Sequence, residues 1–428
     1  MTAPNKELRY AFLDIGLGDC TVITWDDRHH ASNTPVPRCI VVDGGKTKDA
    51  AKVLANYLIE EEVQRIDLLV VTHIDWDHLG GIEQLFRRID PSYNGHGPPY
   101  DQLANLRATN YWGPLPKRPG GSGPSSIAPT MSAAAVASEY RAYITSVRQN
   151  QDLLEVITPR VDNLYFPAMD AVPGLDLFNN LRLDLLAPAE QRYSDEYDAF
   201  EPSGLDTLAI DGPLEALTLE ALNEALAALA EERAEQADTS ANNQSIVFSV
   251  TPKGLFAEHS DHRLLLTGDA ELDSWTDMDD LNADRLRARY FKVPHHGAKT
   301  GLGPEPDGNG ATNQDVGWGK VHPFISVLSV GQANYGHPHL EVLQKLFSMG
   351  THIHCTERNR VDNRWADNLN TKYGDGHGGG AGYCKLAGGE CPKSTTSSWG
   401  HFIVRLTDTD PEESYFFSGD DCPFDWRD

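Results

Sequence analysis

Two histidines and two aspartates stand within six residues of one another, directly after an apolar run. They belong to the segment HIDWDH at residues 73–78. Titratable side chains this close together cannot be buried without a cation to pair with, because an unpaired buried charge is costly. Imidazole and carboxylate groups bind zinc, manganese and magnesium, and a pair of such ions can activate water for hydrolysis. The segment therefore predicts a site for one or two divalent cations.

The elements on either side of this segment indicate where its side chains would lie. Residues 66–71 are a short apolar run that predicts a buried strand, and Gly80-Gly81 followed by residues 82–89 predicts the start of a helix. The four side chains would then occupy the turn after the carboxyl end of a strand, where open α/β sheets place their chemistry. The helix start beyond the turn would also favour a bound anion.

Seven blocks of sequence, of which HIDWDH is one, resemble those of the metallo-β-lactamase fold hydrolases. Within that family they resemble the nuclease-like branch typified by the DNA-uptake channel protein of competent bacteria. The order of the blocks carries the resemblance, since any one of them alone could arise by chance. The blocks are FLDIGLGDC at 12–20, VVDGG at 41–45, HIDWDH at 73–78, NNQSIV at 242–247, LLLTGD at 264–269, KVPHHG at 292–297 and SVGQANYGHPH at 329–339.

The resemblance implies an α/β fold, an αββα sandwich with a large mixed loop and helical insertion. The insertion is predicted to contain a Pro- and Gly-rich loop at 116–124 and helices at 131–157 and 213–238. It could act as a lid or as a partner-binding region. The implied division of the chain is a first half of the fold at 1–90, the insertion at 91–240, and a second half at 241–428 with a divergent Gly- and Cys-containing tail.

The resemblance also implies two metal positions that share one carboxylate. The two ions would be divalent, Zn²⁺ or Mn²⁺, with Mg²⁺ as a further candidate. The sequence leaves open which histidine of the 295–296 pair ligates; the other would orient a ligand or contact the substrate. The implied ligands are His73 and Asp75 for one ion, Asp77 and His78 for the other, Asp269 as the bridge, and His296 to complete the set.

This chain departs from many zinc-using relatives at two places. Asp75 stands where they have a histidine, and an added carboxylate favours the harder ions Mn²⁺ or Mg²⁺. The usual histidine before the bridging aspartate is missing, and Asn243 stands in the matching block as a weak amide ligand or a hydrogen-bonding support. The histidines at 259 and 262 are expected in an exposed hairpin turn, away from the metals.

Further residues are expected to support catalysis. Asp43, at the end of a predicted strand, would hold the metal loop by hydrogen bonds, whereas Asp14 and Asp19 are expected to serve the turn of the first hairpin. His337 is a candidate contact for the substrate oxyanion or leaving group, although a helix-entry histidine without a catalytic role is an alternative. The candidate catalytic residues are Asp77, His295 and His337, and the candidate substrate contacts near the same mouth are Asn334, Tyr335 and Lys292.

The overall composition is that of a globular, acidic protein. Hydrophobic residues make up 40% of the chain and the formal net charge is −27. Nucleic-acid-binding proteins usually present a basic face, so this charge weighs against a nuclease. Part of the excess is local, however, since residues 184–238 are rich in acids and bound cations would neutralise the carboxylate ligands.

The chain shows no targeting or membrane signal. No uncharged apolar stretch is long enough to span a bilayer, and the start lacks the apolar region of a signal peptide. The six cysteines have no short-spaced framework, which favours a reducing compartment. We therefore expect a cytoplasmic protein without membrane insertion. In the tail, Cys384 and Cys391 are expected to be free thiols, with zinc or a disulfide as alternatives, and residues 398–406 and 414–418 are expected to form a final β-hairpin.

The predicted activity is metal-dependent hydrolysis by water that two metal ions activate. The resemblance implies a phosphodiester substrate, DNA or RNA, so the predicted partner is a nucleic acid. One alternative is a hydrolase of a small phosphodiester or phosphorylcholine-type ester, which the acidic surface favours. Another is an effector whose insertion blocks the site until a protein partner or a protease opens it. The fold does not decide between these readings.

Overall fold

The computed structural model describes a little over half of the chain, and it covers both halves of the predicted fold. The described residues are 7–27, 36–114, 149–150, 152–165, 178–188, 241–303, 317–329, 337–356, 401–407, 414–417 and 420–421.

A nine-stranded mixed sheet forms one half of the sandwich. Its order is β15-β14-β13-β1-β2-β3-β4-β5-β6. β1 pairs antiparallel with β2 and β13, and β3 to β6 pair in parallel. The strands are β1 Glu7–Phe12, β2 Thr21–Asp27, β3 Val36–Val42, β4 Arg65–Val70, β5 Arg107–Trp112, β6 Val161–Tyr165, β13 Phe402–Thr407, β14 Ser414–Phe417 and β15 Asp420–Asp421.

A six-stranded sheet in the order β12-β11-β10-β9-β8-β7 forms the other half. β9 to β12 pair in parallel, and β7 and β8 complete the sheet in antiparallel pairing. The strands are β7 Leu181–Ala187, β8 Val247–Pro252, β9 Leu264–Leu266, β10 Tyr290–Lys292, β11 Ile325–Leu328 and β12 His352–Cys355.

Among the described residues, four α-helices and the helical stretch at 152–157 cover the outer faces of the two sheets. α1 and α2 share one apolar cluster with the larger sheet, and α3 and α4 share another with the smaller sheet. A third cluster, which includes Tyr10, Phe12 and Phe248, fills the space between the sheets. This layering confirms the predicted αββα sandwich. The helices are α1 Lys48–Glu60, α2 Trp76–Arg88, α3 Leu272–Leu286 and α4 Leu340–Ser348.

The range 91–240 contains more of the sheets than the sequence predicted. β5, β6 and β7 lie within it, so the prediction of loops and helices alone is wrong at these strands. Most side chains of β6 are exposed, because this strand lies at the edge of its sheet. Its sequence therefore lacks the alternation of apolar and polar residues that predicts a strand. The domain boundaries themselves stay a prediction.

Other parts of the insertion and tail lie mostly outside the described residues. Of the predicted helix at 131–157, residues 149–150 and 152–157 are described and helical. The loop at 116–124, the helix at 213–238 and both Cys384 and Cys391 lie outside. The tail hairpin is confirmed, because β13 and β14 pair antiparallel. Within the part of the chain that the structure describes, no helix is both long and apolar enough to cross a membrane.

Candidate metal centre

Loops from both sheets bring the predicted ligands to one place. β4 ends at Val70, and the HIDWDH segment forms the loop after it, as predicted, but also the first turn of α2, which begins at Trp76 and not near Gly80-Gly81. In the other sheet, β9 leads to Asp269 and β10 leads to His296. Each half of the fold thus supplies part of one cluster, and neither half contains the whole of it.

Asp269 lies at the middle of this cluster. Its Oδ1 is 3.1 Å from Nε2 of His78, and its Oδ2 is 3.8 Å from Nε2 of His73 and 3.5 Å from Nε2 of His296. Nε2 of His296 is also 3.5 Å from Oδ2 of Asp77. His73, His78 and Asp269 form one group of possible ligands, and Asp77, His78 and His296 form a second.

The chemistry of these atoms fits a metal ion. Nε2 of His73, His78 and His296 and Oδ1 of Asp269 are buried, and none of these four atoms has a hydrogen-bond partner in the described part of the chain. Buried polar atoms are rarely left without partners, because the cost of removing them from water is then uncompensated. Three imidazole nitrogens and a carboxylate oxygen that face one another are what one or two divalent cations require.

Asp75 stands at the rim of the cluster rather than inside it. Its side chain is 39% exposed, and its Oδ2 lies 3.6 Å from Nε2 of His73. Asp75 is also the residue that precedes the first turn of α2. Its carboxylate is therefore able to approach an ion from the solvent side.

Asp43 holds the metal loop from behind, as the sequence suggested. Its two carboxylate oxygens accept hydrogen bonds from the backbone N–H and the hydroxyl of Thr72, each at 2.8 Å. Oδ2 also lies 2.8 Å from Nδ1 of His78. A carboxylate on the Nδ1 side fixes the imidazole so that Nε2 faces the ion.

Comparison with known proteins gives a family match for part of this architecture. Residues 38–166, which include β3, α1, β4, the HIDWDH segment and α2, match the family model described as the metallo-beta-lactamase superfamily. The chain has the metallo-β-lactamase fold. Asp269 and His296 lie beyond the matched residues, and their place in the cluster rests on the structure alone.

Two further comparisons add little to this assignment. No curated protein matches the chain at a significant level. Among solved structures, the long form of RNase Z from yeast is similar to 77% of this chain, at 10% identity and a TM-score of 0.29. The chain spans only 38% of that protein's length.

The structure distinguishes the two histidines between which the sequence left the ligand open. Both have a left-handed backbone, with φ of 48° at His295 and 52° at His296. His296 is buried in the cluster, whereas the His295 side chain is 23% exposed. Nδ1 of His295 lies 3.1 Å from Oε1 of Glu271 and 3.0 Å from the hydroxyl of Thr300, and its Nε2 is 3.8 Å from Oδ2 of Asp269. The geometry favours His296 as the ligand and His295 as a group at the rim.

His337 lies beside these two histidines. Its ring centre is 5.8 Å from that of His295 and 6.4 Å from that of His296. Burial and the neighbouring imidazoles lower the pKa of His337 to about 4, so it is neutral near pH 7. Asn334 and Tyr335, predicted beside it, lie outside the described residues.

Asn243, predicted as an amide ligand or a hydrogen-bonding support, and Lys292, predicted as a phosphate contact, are both engaged within the fold. Asn243 supports α3: its Oδ1 accepts from the backbone N–H of Ser274 at 3.2 Å, and its carbonyl accepts from the Ser274 hydroxyl at 2.6 Å. It therefore acts as the hydrogen-bonding support and not as an amide ligand. Lys292 is 2% exposed and its Nζ lies 2.7 Å from Oδ2 of Asp19. A lysine buried in this way does not reach a substrate at the rim, so the prediction of a phosphate contact is corrected.

The prediction that the histidines at 259 and 262 lie in an exposed turn is also wrong, because both are buried. His259 is 1% exposed and its Nε2 lies 2.8 Å from the carbonyl oxygen of Thr407 in β13. His262 is 8% exposed, and its ring lies 4.9 Å from that of His259. Both belong to the packing of the sandwich and not to the metal cluster.

Sequence reasoning missed two residues of the site. Asp19 is buried within reach of Asp269 and His296, and Glu271 contacts His295. Asp19 lies in the first of the resembling blocks, which was the available signal, but its position in a glycine-containing segment indicated an ordinary turn. Glu271 lies two residues after Asp269 and carried no signal of its own.

The carboxylates and imidazoles of the cluster shift each other's pKa. Burial acts to lower the pKa of His78, yet the carboxylates of Asp269 and Asp43 raise it well above its ordinary value. Asp269 and Asp19 do the same for the pKa of the buried His296. Burial acts to raise the pKa of Asp269, but His78 and His296 hold it well below its ordinary value. Without metal, the carboxylates therefore favour the protonated imidazoles of His78 and His296.

Binding of divalent cations should displace these protons. The raised pKa values of His78 and His296 favour their protonated forms in the metal-free domain, and an ion binds only the neutral imidazole, so we expect protons to be released on binding. Since protons are products of binding, metal affinity should rise with pH until the raised pKa values are passed. Calorimetric titration with Zn²⁺ or Mn²⁺ in buffers of different ionisation enthalpy counts the protons, and a heat that does not depend on the buffer would contradict this expectation.

Proposed function

We propose that this metallo-β-lactamase domain is a metal-dependent phosphodiesterase that cleaves DNA or RNA. The observation that carries the proposal is the convergence around Asp269 of buried imidazole and carboxylate atoms that make no well-formed hydrogen bond among the described residues. Two divalent cations bound there would lower the pKa of a water molecule and offset the charge of the phosphoryl oxygens that it attacks. His73, Asp75 and Asp269 would hold one ion, and Asp77, His78, Asp269 and His296 would hold the other.

Support for a nucleic-acid substrate comes from two features. The seven blocks follow the order of the nuclease-like branch of the family. At the rim, Lys299 and Thr300 are exposed next to His295. An exposed ammonium and a hydroxyl are groups that commonly contact phosphate and sugar. The rim therefore offers contacts for a phosphate adjacent to the one that is cleaved.

His295 is the residue best arranged to give a proton to the leaving oxygen. Glu271 and Thr300 hold its Nδ1, which leaves Nε2 turned toward Asp269. Burial acts to lower the pKa of His295, but Asp269 and the contact with Glu271 raise it, which favours the protonated imidazole that a general acid needs. His337, which is neutral there, can accept a hydrogen bond from the substrate.

Replacing His295 by alanine should lower kcat by about 10²-fold, the usual contribution of a general acid. Metal uptake should not change, because His295 stands at the rim and His296 remains in place. Thr300→Val is the matched control: it removes one of the two contacts on Nδ1 and should reduce kcat far less. Steady-state kinetics with metal analysis of the same samples measures both quantities. If His295→Ala lost metal together with activity, His295 would belong to the ligand set instead.

The direct test of the proposed function is cleavage by the purified protein. Single- and double-stranded DNA and RNA are incubated with added Mn²⁺, Mg²⁺ or Zn²⁺, beside an Asp77→Ala/His78→Ala variant. Metal-dependent cutting that the variant lacks is the expected result. Absence of cutting, together with turnover of bis-p-nitrophenyl phosphate, would overturn the nuclease proposal and favour a small-ester hydrolase.

The net charge of −27 is the observation that favours this second candidate, a hydrolase of small phosphodiesters. Salt separates the two. An enzyme that contacts a polyanion should lose substrate affinity by about 10³-fold or more between roughly 50 and 200 mM salt if it makes several phosphate contacts. An enzyme for small esters should show little change over the same range.

Gating by the insertion remains a separate proposal. Most of residues 91–240, including the loop at 116–124, lie outside the described residues, so only an experiment addresses it. Limited proteolysis at 116–124 should raise the rate of hydrolysis if the insertion blocks the centre. Unchanged activity after complete cleavage would eliminate gating by a protease.

A further inference from the structure

We infer that Asp19 is a positioning residue of the metal centre, which holds His296 on its Nδ1 side and is itself held by the buried amine of Lys292. The inference rests on the two-metal centre of the proposed function and adds to it a residue from the loop between β1 and β2. It does not depend on which phosphodiester is cleaved.

The contact between Asp19 and Lys292 is a buried ion pair. Asp19 is 4% exposed, and its Oδ2 lies 2.7 Å from Nζ of Lys292. The same Nζ donates a hydrogen bond to the carbonyl oxygen of Val293 at 3.1 Å. The buried ammonium of Lys292 needs a carboxylate beside it, because an unpaired buried charge is strongly destabilising. One oxygen of Asp19 is therefore committed to Lys292.

The other oxygen faces His296. Oδ1 of Asp19 lies 3.3 Å from Nδ1 of His296, and the carbonyl oxygen of Ser329 lies 2.9 Å from the same nitrogen. With two acceptors on that side, the proton belongs on Nδ1 and the lone pair of Nε2 points toward Asp77 and Asp269. This is the tautomer and the orientation that a metal ligand needs.

Oδ1 of Asp19 is also a buried carboxylate oxygen without a well-formed hydrogen bond among the described residues. A His296 ring that keeps Nδ1 toward this oxygen also keeps Nε2 toward Asp77 and Asp269. Loss of the Asp19 carboxylate should therefore loosen the ring and weaken metal binding at Nε2.

The loop that carries Asp19 is fitted to the metal loop through its backbone. Gly18 has a φ of +106°, and a Cβ there would lie 1.8 Å from the carbonyl oxygen of Asp77. The N–H of Asp19 donates to that same oxygen at 3.3 Å, and the N–H of Gly45 donates to the carbonyl of Asp19 at 2.9 Å. The position of the Asp19 carboxylate is therefore fixed from three sides.

The arrangement repeats on the second imidazole of the centre. Asp43 occupies the Nδ1 side of His78 at 2.8 Å, as Asp19 occupies that of His296. Each of these two histidines thus has a carboxylate behind it and faces Asp269 in front. The competing explanation is an ordinary ion pair that joins the two sheets and has no effect on metal.

The test compares metal binding of two matched double variants. Asp19→Asn/Lys292→Met removes both charges, so neither is left unpaired. Arg38→Met/Asp67→Asn removes a part-buried ion pair, 2.6 Å apart, between β3 and β4 of the larger sheet. Co²⁺ is titrated into each metal-free protein and followed by visible absorption and calorimetry, and the Tm of each metal-free protein is recorded.

We expect the Asp19 variant to bind one of two Co²⁺ equivalents about 10- to 100-fold more weakly, with the other unchanged. The control should keep both affinities even where its Tm falls. Two unchanged equivalents in the Asp19 variant, or two that weaken equally together with the Tm, would overturn the inference. If the double variant fails to fold, Asp19→Glu, which keeps the charge and displaces the carboxylate, should show the same selective loss.

The wild-type titration separates this inference from the proposed function. Binding of two Co²⁺ equivalents by a protein that does not cleave phosphodiesters would leave Asp19 in its role and remove the proposed reaction. Binding of no Co²⁺ by the wild type would remove both.

Discussion

Replacement of Asp269 by asparagine should eliminate tight metal binding and lower kcat/KM by about 10³-fold or more. Asp269 is the group to which the Nε2 atoms of His73, His78 and His296 are all close. An amide keeps the shape of the side chain but removes the charge that both ions would share. Charge stabilisation by such ions amounts to several kcal/mol, and each 1.4 kcal/mol or so is a factor of ten in rate.

Metal analysis, calorimetry with Zn²⁺ or Mn²⁺, and kinetics on bis-p-nitrophenyl phosphate measure this effect. Asp67→Asn is the matched control, because Asp67 is also a buried, charge-paired aspartate of the larger sheet but lies away from the cluster. The control should lower stability and leave metal uptake intact. Full metal content in Asp269→Asn would contradict the central place of this residue.

Replacement of Gly81 by alanine should destabilise the domain by about 3 kcal/mol, near the upper end for overpacking. A Cβ at Gly81 would lie 1.7 Å from the carbonyl oxygen of Gly44, which is backbone and cannot turn aside. Alanine is favoured over glycine in a helix by only about 1 kcal/mol, so the clash outweighs that gain. The N–H of Gly81 also donates to Gly45 at 2.7 Å, and the N–H of Gly44 to His78 at 2.8 Å.

Because this contact joins the turn after Asp43 to the helix that carries His78, the Gly81→Ala variant should also bind metal more weakly. Urea unfolding of the metal-free proteins gives the change in stability. Gly301→Ala is the control, since a Cβ there would lie no closer than 3.3 Å to its neighbours. A variant at Gly81 that is as stable as the wild type would show that α2 can shift on the larger sheet without loss.

Local patterns predicted the first half of the centre well. Residues 66–71 were predicted as a strand and β4 spans Arg65–Val70; the helix predicted near Gly80-Gly81 begins at Trp76. The apolar run, the glycines and the spacing of ligands all lie within about twenty residues, so no distant contact was needed to interpret them. The same holds for α4 after the GHPH segment.

Long-range packing decided what the sequence could not. The role of Asp19 depends on Lys292, which lies in the other sheet, and no local pattern connects the two. The separate directions of His295 and His296 depend on two successive left-handed residues, which side chains other than glycine rarely adopt. The sequence did not predict β6, because an edge strand with one buried residue shows no alternation of apolar and polar side chains.

The division of the ligands between the two sheets has a consequence for synthesis of the chain. The HIDWDH segment leaves the ribosome about 190 residues ahead of Asp269, which at roughly 5–20 residues per second is some 10–40 s. During that interval the nascent segment offers two imidazoles and two carboxylates to whatever cation is abundant, without the carboxylate that joins them. The cluster around Asp269 can therefore assemble only after the second sheet has been synthesised, so metal uptake by the complete set of ligands would accompany a late step of folding.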